Sequence, residues 1–306
     1  IRRATIRFVI EFMISKSFVD RAGPSFIRDF QRYEDDLEVA IAQSSVLPRW
    51  IGLTCFLLPV RRQREALQRR IATVLDTIDD DAGYWLRDAR KLAASNVEVA
   101  EYLIGLLFAA HKNPSIAASQ MFLFVRDAVA AHETLHEEAR IILRDPTVLG
   151  QTGQQTPVPL FRKSAMETLR VTSHTIGSIR LMMQDVPLEG TRHIIRKGET
   201  IAMDHHTRST CREVWKSGEA LDISSETKRD GMELYEDRRN FASFSLGVHH
   251  CPGEKLSVVT MQMTVACLLQ QWESIEALET SSQLRFDRPT LAQRSKPIPL
   301  KVTLKK

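Results

Sequence analysis

The segment Phe244-Ser245-Leu246-Gly247-Val248-His249-His250-Cys251-Pro252-Gly253 sets one cysteine between two glycines, directly ahead of a helical run that begins Glu254-Lys255-Leu256. The first turn of a helix carries unpaired N–H groups and a partial positive charge, which together stabilise a cysteine sulfur as an anion able to ligate iron. Pro252 suits the first helical position, where no N–H is needed. Gly247 and Gly253 remove side chains where a large flat ligand would approach the backbone, and Phe244 supplies apolar cover for the sulfur. His249 stands two residues before the cysteine, within reach of a carboxylate on such a ligand. A buried structural cysteine is the plainer reading, because free Cys packs as a small hydrophobe.

The decapeptide resembles the haem-binding loop of the cytochrome P450 family, F-x-x-G-x-[H/R]-x-C-x-G, with Phe244, Gly247, His249, Cys251 and Gly253 at its five fixed positions. The resemblance implies a haem iron held by the Cys251 thiolate, whose electron density favours O–O cleavage. It also implies a mainly α-helical fold with a small β-sheet, and a haem propionate anchored by His249. A second fragment of the family, E-x-x-R, is matched by Glu167, 84 positions before Cys251, and Arg170, in a segment, Lys163 to Arg180, with helical spacing. Spacing of three puts the two on one helix face. An exposed pair of this kind contributes under about 1 kcal/mol, whereas the resemblance implies a buried structural pair beneath the haem loop.

Between these landmarks the family spacing persists while letters change. Arg196-Lys197-Gly198-Glu199-Thr200-Ile201 resembles a basic turn into a short strand, and Trp215 falls where an aromatic is expected. The arginine that completes a triad with the E-x-x-R pair aligns with Ser225, and Lys228 and Arg229 come three and four positions late. These departures weaken the expected support beneath the haem.

Val97 to Ala131 reads as one long helix whose apolar run gives way to His111-Lys112-Asn113-Pro114-Ser115. Proline cannot continue the hydrogen-bond ladder, so a kink or opening is predicted there. The resemblance implies that this helix crosses the oxygen-binding face of the haem. The family acid and threonine are replaced by Lys112 and Asn113, Ala109 and Ala110 make room for oxygen, and Asn113 holds a water or peroxide oxygen. An amide is a poor proton donor beside a hydroxyl-and-acid pair. Asn113 resembles the branch that contains sterol hydroxylases and prostacyclin synthase.

At 306 residues the chain can bury a substantial core, yet family members are longer, and the resemblance covers about their C-terminal three-fifths. The chain begins at Ile1, so a single, N-terminally incomplete domain is expected over 1–306, with lid helices in 1–95 and the haem-binding core in 96–306. Helical patterns run from Arg3 to Ser17, Phe26 to Ser44 and Arg61 to Asp80. The apolar stretch Trp50 to Val60 is about half of the roughly twenty residues that span a bilayer. It precedes Arg61 to Arg70, with five arginines and one glutamate, so residues 50–70 suit either an anionic membrane surface or a core loop beside a solvated basic helix.

A net charge of +4 spread over 42 basic and 38 acidic residues argues against a nucleic-acid partner. Cysteines at 55, 211, 251 and 267 form no disulfide framework or C-x-x-C pair, which points to reduced thiols. His132-Glu133-Thr134-Leu135-His136 satisfies H-E-x-x-H, a zinc-hydrolase pattern in which Glu133 is the general base, but Ala139 and Ile142 stand where an extended motif needs Gly and His. Glu137, Glu138 and Arg140 suggest a solvated helix face there, and His205-His206 reads as loop surface.

The resemblance implies a monooxygenase that inserts one oxygen atom from O2 into a lipophilic small molecule of sterol, terpenoid or secondary-metabolite type. Electrons would come from an NADPH-dependent flavoprotein reductase, and a full-length form would sit on the cytosolic face of the endoplasmic reticulum membrane. The alternatives are a haem-thiolate isomerase or dehydratase that acts on a peroxide without a reductase, and an inactive truncated relic.

Overall fold

A computed structural model describes residues 1–78, 83–128, 131–151, 156–173, 178–223, 232–237, 239–278, 282–286 and 290–305. Ser225, Lys228 and Arg229 lie outside the described residues. The helices are α1 (Arg2–Met13), α2 (Phe18–Ala22), α3 (Phe26–Val46), α4 (Arg49–Ile51), α5 (Leu58–Leu75), α6 (Tyr84–Leu92), α7 (Asn96–Asp127), α8 (His132–Arg144), α9 (Pro159–Val171), α10 (His205–Thr210), α11 (Met232–Glu236) and α12 (Glu254–Gln271). The strands are β1 (Ser178–Leu181), β2 (Val186–Pro187), β3 (Ile194–Ile195), β4 (Thr200–Met203), β5 (Trp272–Ala277), β6 (Leu284–Arg285), β7 (Gln293–Arg294) and β8 (Leu300–Leu304). They pair antiparallel as β1–β4, β2–β3, β5–β8 and β6–β7. The expected mainly helical fold with small sheets is what forms.

Contacts divide the chain into two compact units, Ile1–Lys112 and Asn113–Lys306. In the first, Ile6, Val9, Ile10 and Ile14 make the buried stripe of α1, and Phe18, Phe26, Phe30, Ile71 and Leu75 meet it in one core. Each fully buried apolar side chain contributes about 1.5–3 kcal/mol. An exposed i,i+4 pair such as Arg7–Glu11, at 2.6 Å, adds a few tenths. Packing therefore holds α1 in place. The predicted helix from Arg3 to Ser17 ends early, at Met13, because Ile14 turns into the core and α2 begins at Phe18.

Residues 50–60 are not a loop. α4 passes into a π-helical turn, Gly52–Leu57, and then into α5, whose Pro59 sits in the first turn where its missing N–H costs nothing. The π turn brings Gly52 so near α3 that a Cβ there would stand 2.8 Å from Ser44 Cβ. Any larger residue would push the two helices apart.

The first unit also buries charge. Glu34 and His111 are both fully buried, with His111 Nε2 3.1 Å from Glu34 Oε2 and Nδ1 2.8 Å from the Leu107 carbonyl. Lys112 Nζ lies 2.6 Å from Glu38 Oε1 and 3.2 Å from Asp35 Oδ1. One turn of α7 is thus tied to the acidic turn of α3.

In the second unit α12 packs on α8 and α9, with Val258, Met261, Val265 and Leu269 buried against Leu135, Ile142, Phe161 and Leu169. α7 runs unbroken through Pro114, so the predicted opening does not interrupt the helix. The helix predicted from Lys163 to Arg180 ends at Val171, and residues from Ser178 onward pair in β1. Thr172 and Ser173 end it by turning their hydroxyls onto the Thr168 and Leu169 carbonyls. Glu138, expected on a solvated face, is buried and accepts the Leu160 and Phe161 N–H groups at 3.1 and 2.6 Å. It caps the start of α9, where unpaired donors favour a carboxylate. His205 is likewise no surface-loop residue, since it is buried at the start of α10, which the Asp204 carboxylate caps.

Candidate functional site

Cys251 stands at the end of a loop whose shape follows from its glycine and aromatic residues. Ser245 and Gly247 adopt positive φ, at 63° and 65°, and the chain then makes one 3-10 turn, Gly247–His249. The Cys251 N–H donates to the Phe244 carbonyl at 2.8 Å, which closes the loop, and His250 N–H donates to Gly247 at 3.0 Å. Phe244 is buried beside Phe241. Gly253 forms the N-cap of α12, so Pro252 precedes the helix instead of opening it. A Cβ on Gly253 would stand 3.8 Å from Cys251 Sγ, whereas a Cβ on Gly247 would meet nothing within 4 Å.

The loop offers an open face. Gly247, Val248 and His249 are exposed, Cys251 is half-buried, and its thiol is free of any disulfide. On the α9 and α12 side, a cleft of about 640 Å³ is lined by Cys251, Pro252, Met166, Tyr235, Val258 and Arg162. His250 Nε2 contacts Glu254 Oε2, on the first residue of α12, at 2.7 Å. A single thiol at a helix start, backed by apolar side chains and fronted by bare backbone, fits a haem ligand. Five of the expected cofactor residues, Phe244, Gly247, His249, Cys251 and Gly253, share this one loop.

Beneath the loop, α9 presents Lys163, Glu167 and Arg170 on one buried face. Arg170 Nε and Nη2 donate to the Glu167 carboxylate at 2.6 and 2.9 Å, the fork geometry that suits guanidinium. The rest of the guanidinium donates to the Ser209, Gly218 and Ala220 carbonyls and to Ser217 Oγ. Its carbon lies 5.1 Å above the Trp215 ring. Glu167 also accepts the Asp222 N–H at 2.8 Å and the Tyr235 hydroxyl. Lys163 Nζ pairs with Asp222 at 3.0 Å. Among the described residues, the donors to Glu167 are thus the Arg170 guanidinium, the Asp222 N–H and the Tyr235 hydroxyl. Lys163 was legible as the i−4 neighbour of Glu167 on the same face, but Tyr235, 68 positions away, gave no local signal.

The oxygen-side residues fare differently. The Asn113 amide oxygen accepts the Leu291 N–H at 3.3 Å, which leaves its NH2 group for any ligand. Ala109 is exposed and Ala110 half-buried, and both belong to the first unit. Lys112 and His111 are engaged with α3 as described above. In the H-E-x-x-H segment, His132 Nε2 is 2.7 Å from the Arg126 carbonyl and Glu133 is exposed. His136 is pushed below its ordinary pKa by burial, then by Lys305, His132 and Arg140. No group of three metal-ligating side chains occurs among the described residues.

The cytochrome P450 family model matches residues 60–302. A sterol 14-alpha demethylase of Aspergillus flavus is 24% identical over 87% of the chain and 59% of its own length. Abscisic acid 8'-hydroxylase 1 of Arabidopsis thaliana is 24% identical over 72% of the chain and 46% of its own. The chain thus spans about half the length of these relatives. The retinoic acid-bound structure of cyanobacterial CYP120A1 superposes with a TM-score of 0.75 at 18% identity, covering 99% of this chain and 68% of that one. With the cysteine loop, the buried Glu167–Arg170 pair and a match over most of its length, this chain belongs to the cytochrome P450 family.

Proposed function

We propose that the protein is a haem-thiolate monooxygenase that inserts one oxygen atom from O2 into a lipophilic small molecule. The observation that carries the reading is Cys251, presented by the Phe244–Gly253 loop at the start of α12. Haem, the cofactor that the family and fold imply, would supply the oxygen-activating chemistry when bound. The chain's residues supply the rest. Cys251 would ligate the iron, His249 would anchor a propionate, Phe244 would keep water from the sulfur, and the Asn113 NH2 group would hold a water. Relatives named for abscisic acid and sterols favour a substrate of terpenoid or sterol type. Electrons would come from a flavoprotein reductase. The test is the absorption of the reduced, carbon monoxide-bound protein, wild type beside Cys251→Ser.

One observation favours a second reading. At the step where an acid and a threonine relay protons in the family, this chain carries Lys112, held by Glu38 and Asp35, and Asn113, whose oxygen is committed to Leu291. The Asn113 amide is a poor proton donor to oxygen. An isomerase or dehydratase that takes a ready-made hydroperoxide avoids that need. Turnover of an organic hydroperoxide without NADPH or reductase is the expected result for this reading, and turnover only with both returns the assignment to monooxygenation.

Membrane contact belongs to the same proposal. No helix among the described residues is long and apolar enough to cross a membrane. Val46, Trp50, Leu53 and Leu58 are nonetheless exposed beside Arg49, Arg61 and Arg62. We place this edge on an anionic bilayer surface, the cytosolic face of the endoplasmic reticulum. Replacing Trp50 and Leu53 together by Ala is expected to weaken binding to phosphatidylserine-containing vesicles about tenfold, given the apolar area removed. Equal co-sedimentation of the double variant and wild type would refute the contact.

A further inference from the structure

The Glu167 carboxylate on α9 accepts a neutral donor from far along the chain: the Tyr235 hydroxyl donates to Glu167 Oε1 from a residue that is 5% exposed. We infer that Tyr235 is a positioning residue for Cys251: its hydroxyl anchors to the buried Glu167, and its ring transmits that anchor to the cysteine loop.

The path is continuous within the second unit. The Tyr235 ring lies 5.0 Å from Trp215, which itself lies beneath the Arg170 guanidinium. On its other side it meets Phe241 edge-on at 5.7 Å, and Phe241 lies 6.4 Å from Phe244. The Phe244 carbonyl accepts the Cys251 N–H, and Tyr235 and Cys251 line the same cleft. Offset and edge-to-face aromatic contacts of this kind fix rings against one another more firmly than aliphatic packing of the same area.

Among the described residues, Glu167 is paired with Arg170 and Asp222 with Lys163, and the Tyr235 phenol adds a donor to Glu167 without adding a charge. Burial first, then the neighbouring Glu167, pushes the Tyr235 pKa upward, so the phenol stays protonated and remains a donor at neutral pH.

The role toward the cofactor rests on Cys251 as the haem ligand, and the closing experiment separates the two. In Tyr235→Phe, which keeps the ring and removes the hydroxyl, hydrogen exchange of the full chain is expected to speed at the Cys251 and Asp222 amides about tenfold relative to the amides of α8. In Phe241→Leu, which interrupts the ring path but leaves the Glu167 bond, exchange is expected to speed at Cys251 and not at Asp222. With haem supplied, the reduced, carbon monoxide-bound spectrum of Tyr235→Phe shifts from the thiolate form toward the thiol form. Unchanged exchange at Cys251, or equal acceleration throughout α8, overturns the inference. Failure of the wild type to take up haem overturns the haem reading alone, because the exchange contrast still decides the role of Tyr235.

Discussion

Cys251→Ser will remove thiolate ligation of haem. Its reduced, carbon monoxide-bound protein will lack the thiolate signature that the wild type shows. A serine hydroxyl is a much weaker ligand than a thiolate, and the loop offers no second sulfur, since Cys267 lies well inside α12 and burial holds its thiol protonated. Changes to outer partners of a metal ligand already cost 10–100-fold in affinity, so loss of the ligand itself should exceed about 100-fold. The substitution is nearly isosteric at a half-buried position, and the Cys251 N–H bond to Phe244 does not depend on the side chain. Helical content should therefore be retained while the spectrum changes. An unaltered spectrum, with haem still bound in the serine variant, would remove the basis for the proposed function.

Glu167→Gln will destabilise the second unit without touching the cofactor. The substitution removes the carboxylate charge paired with the buried Arg170 and turns an acceptor oxygen toward Asp222 or Tyr235 into a donor that clashes with their hydrogens. Breaking a buried pair from one side costs about 3–5 kcal/mol. That is a large share of the roughly 5–15 kcal/mol that holds a domain folded. The measurement is the urea midpoint followed through a probe in the second unit, such as Trp215 fluorescence. A loss below about 1 kcal/mol, the scale of an exposed pair, would show that the burial of Glu167 and Arg170 is not what holds this region.

The site was unequally legible. The Cys251 loop is a local object, because its turn is set by Gly247, its closure by the hydrogen bond from Cys251 to Phe244 seven positions earlier, and its electrostatics by the helix that follows. Short-range chemistry of that kind is readable from residue order. The Glu167–Arg170 spacing was equally local, but its burial was not, and that burial separates a contact worth tenths of a kcal/mol from one worth several. Pro114 is a partial case. Its local rule predicted a kink or an opening in α7; the helix does not open there, held on its first half by Leu103 and Leu107 and on its second by Ala117, Ala118 and Met121. Packing along both halves outweighs one missing hydrogen bond. Glu138 and His205 were misread for a related reason, since a charged or polar residue at a helix surface position gives no sign of whether a neighbouring helix end or loop will cover it.

Residue order alone determined the ligand loop, the helix that presents its sulfur, the paired positions on α9 and the predominance of helix, because each depends on neighbours within about two turns of chain. The tertiary structure decided which charges are buried and what satisfies them: Tyr235 on Glu167, Glu138 on the start of α9, and Glu34 and Glu38 against His111 and Lys112. The physical reason is that the cost of burying a charge depends on the atoms brought around it, and those come from segments from 22 to 77 positions away.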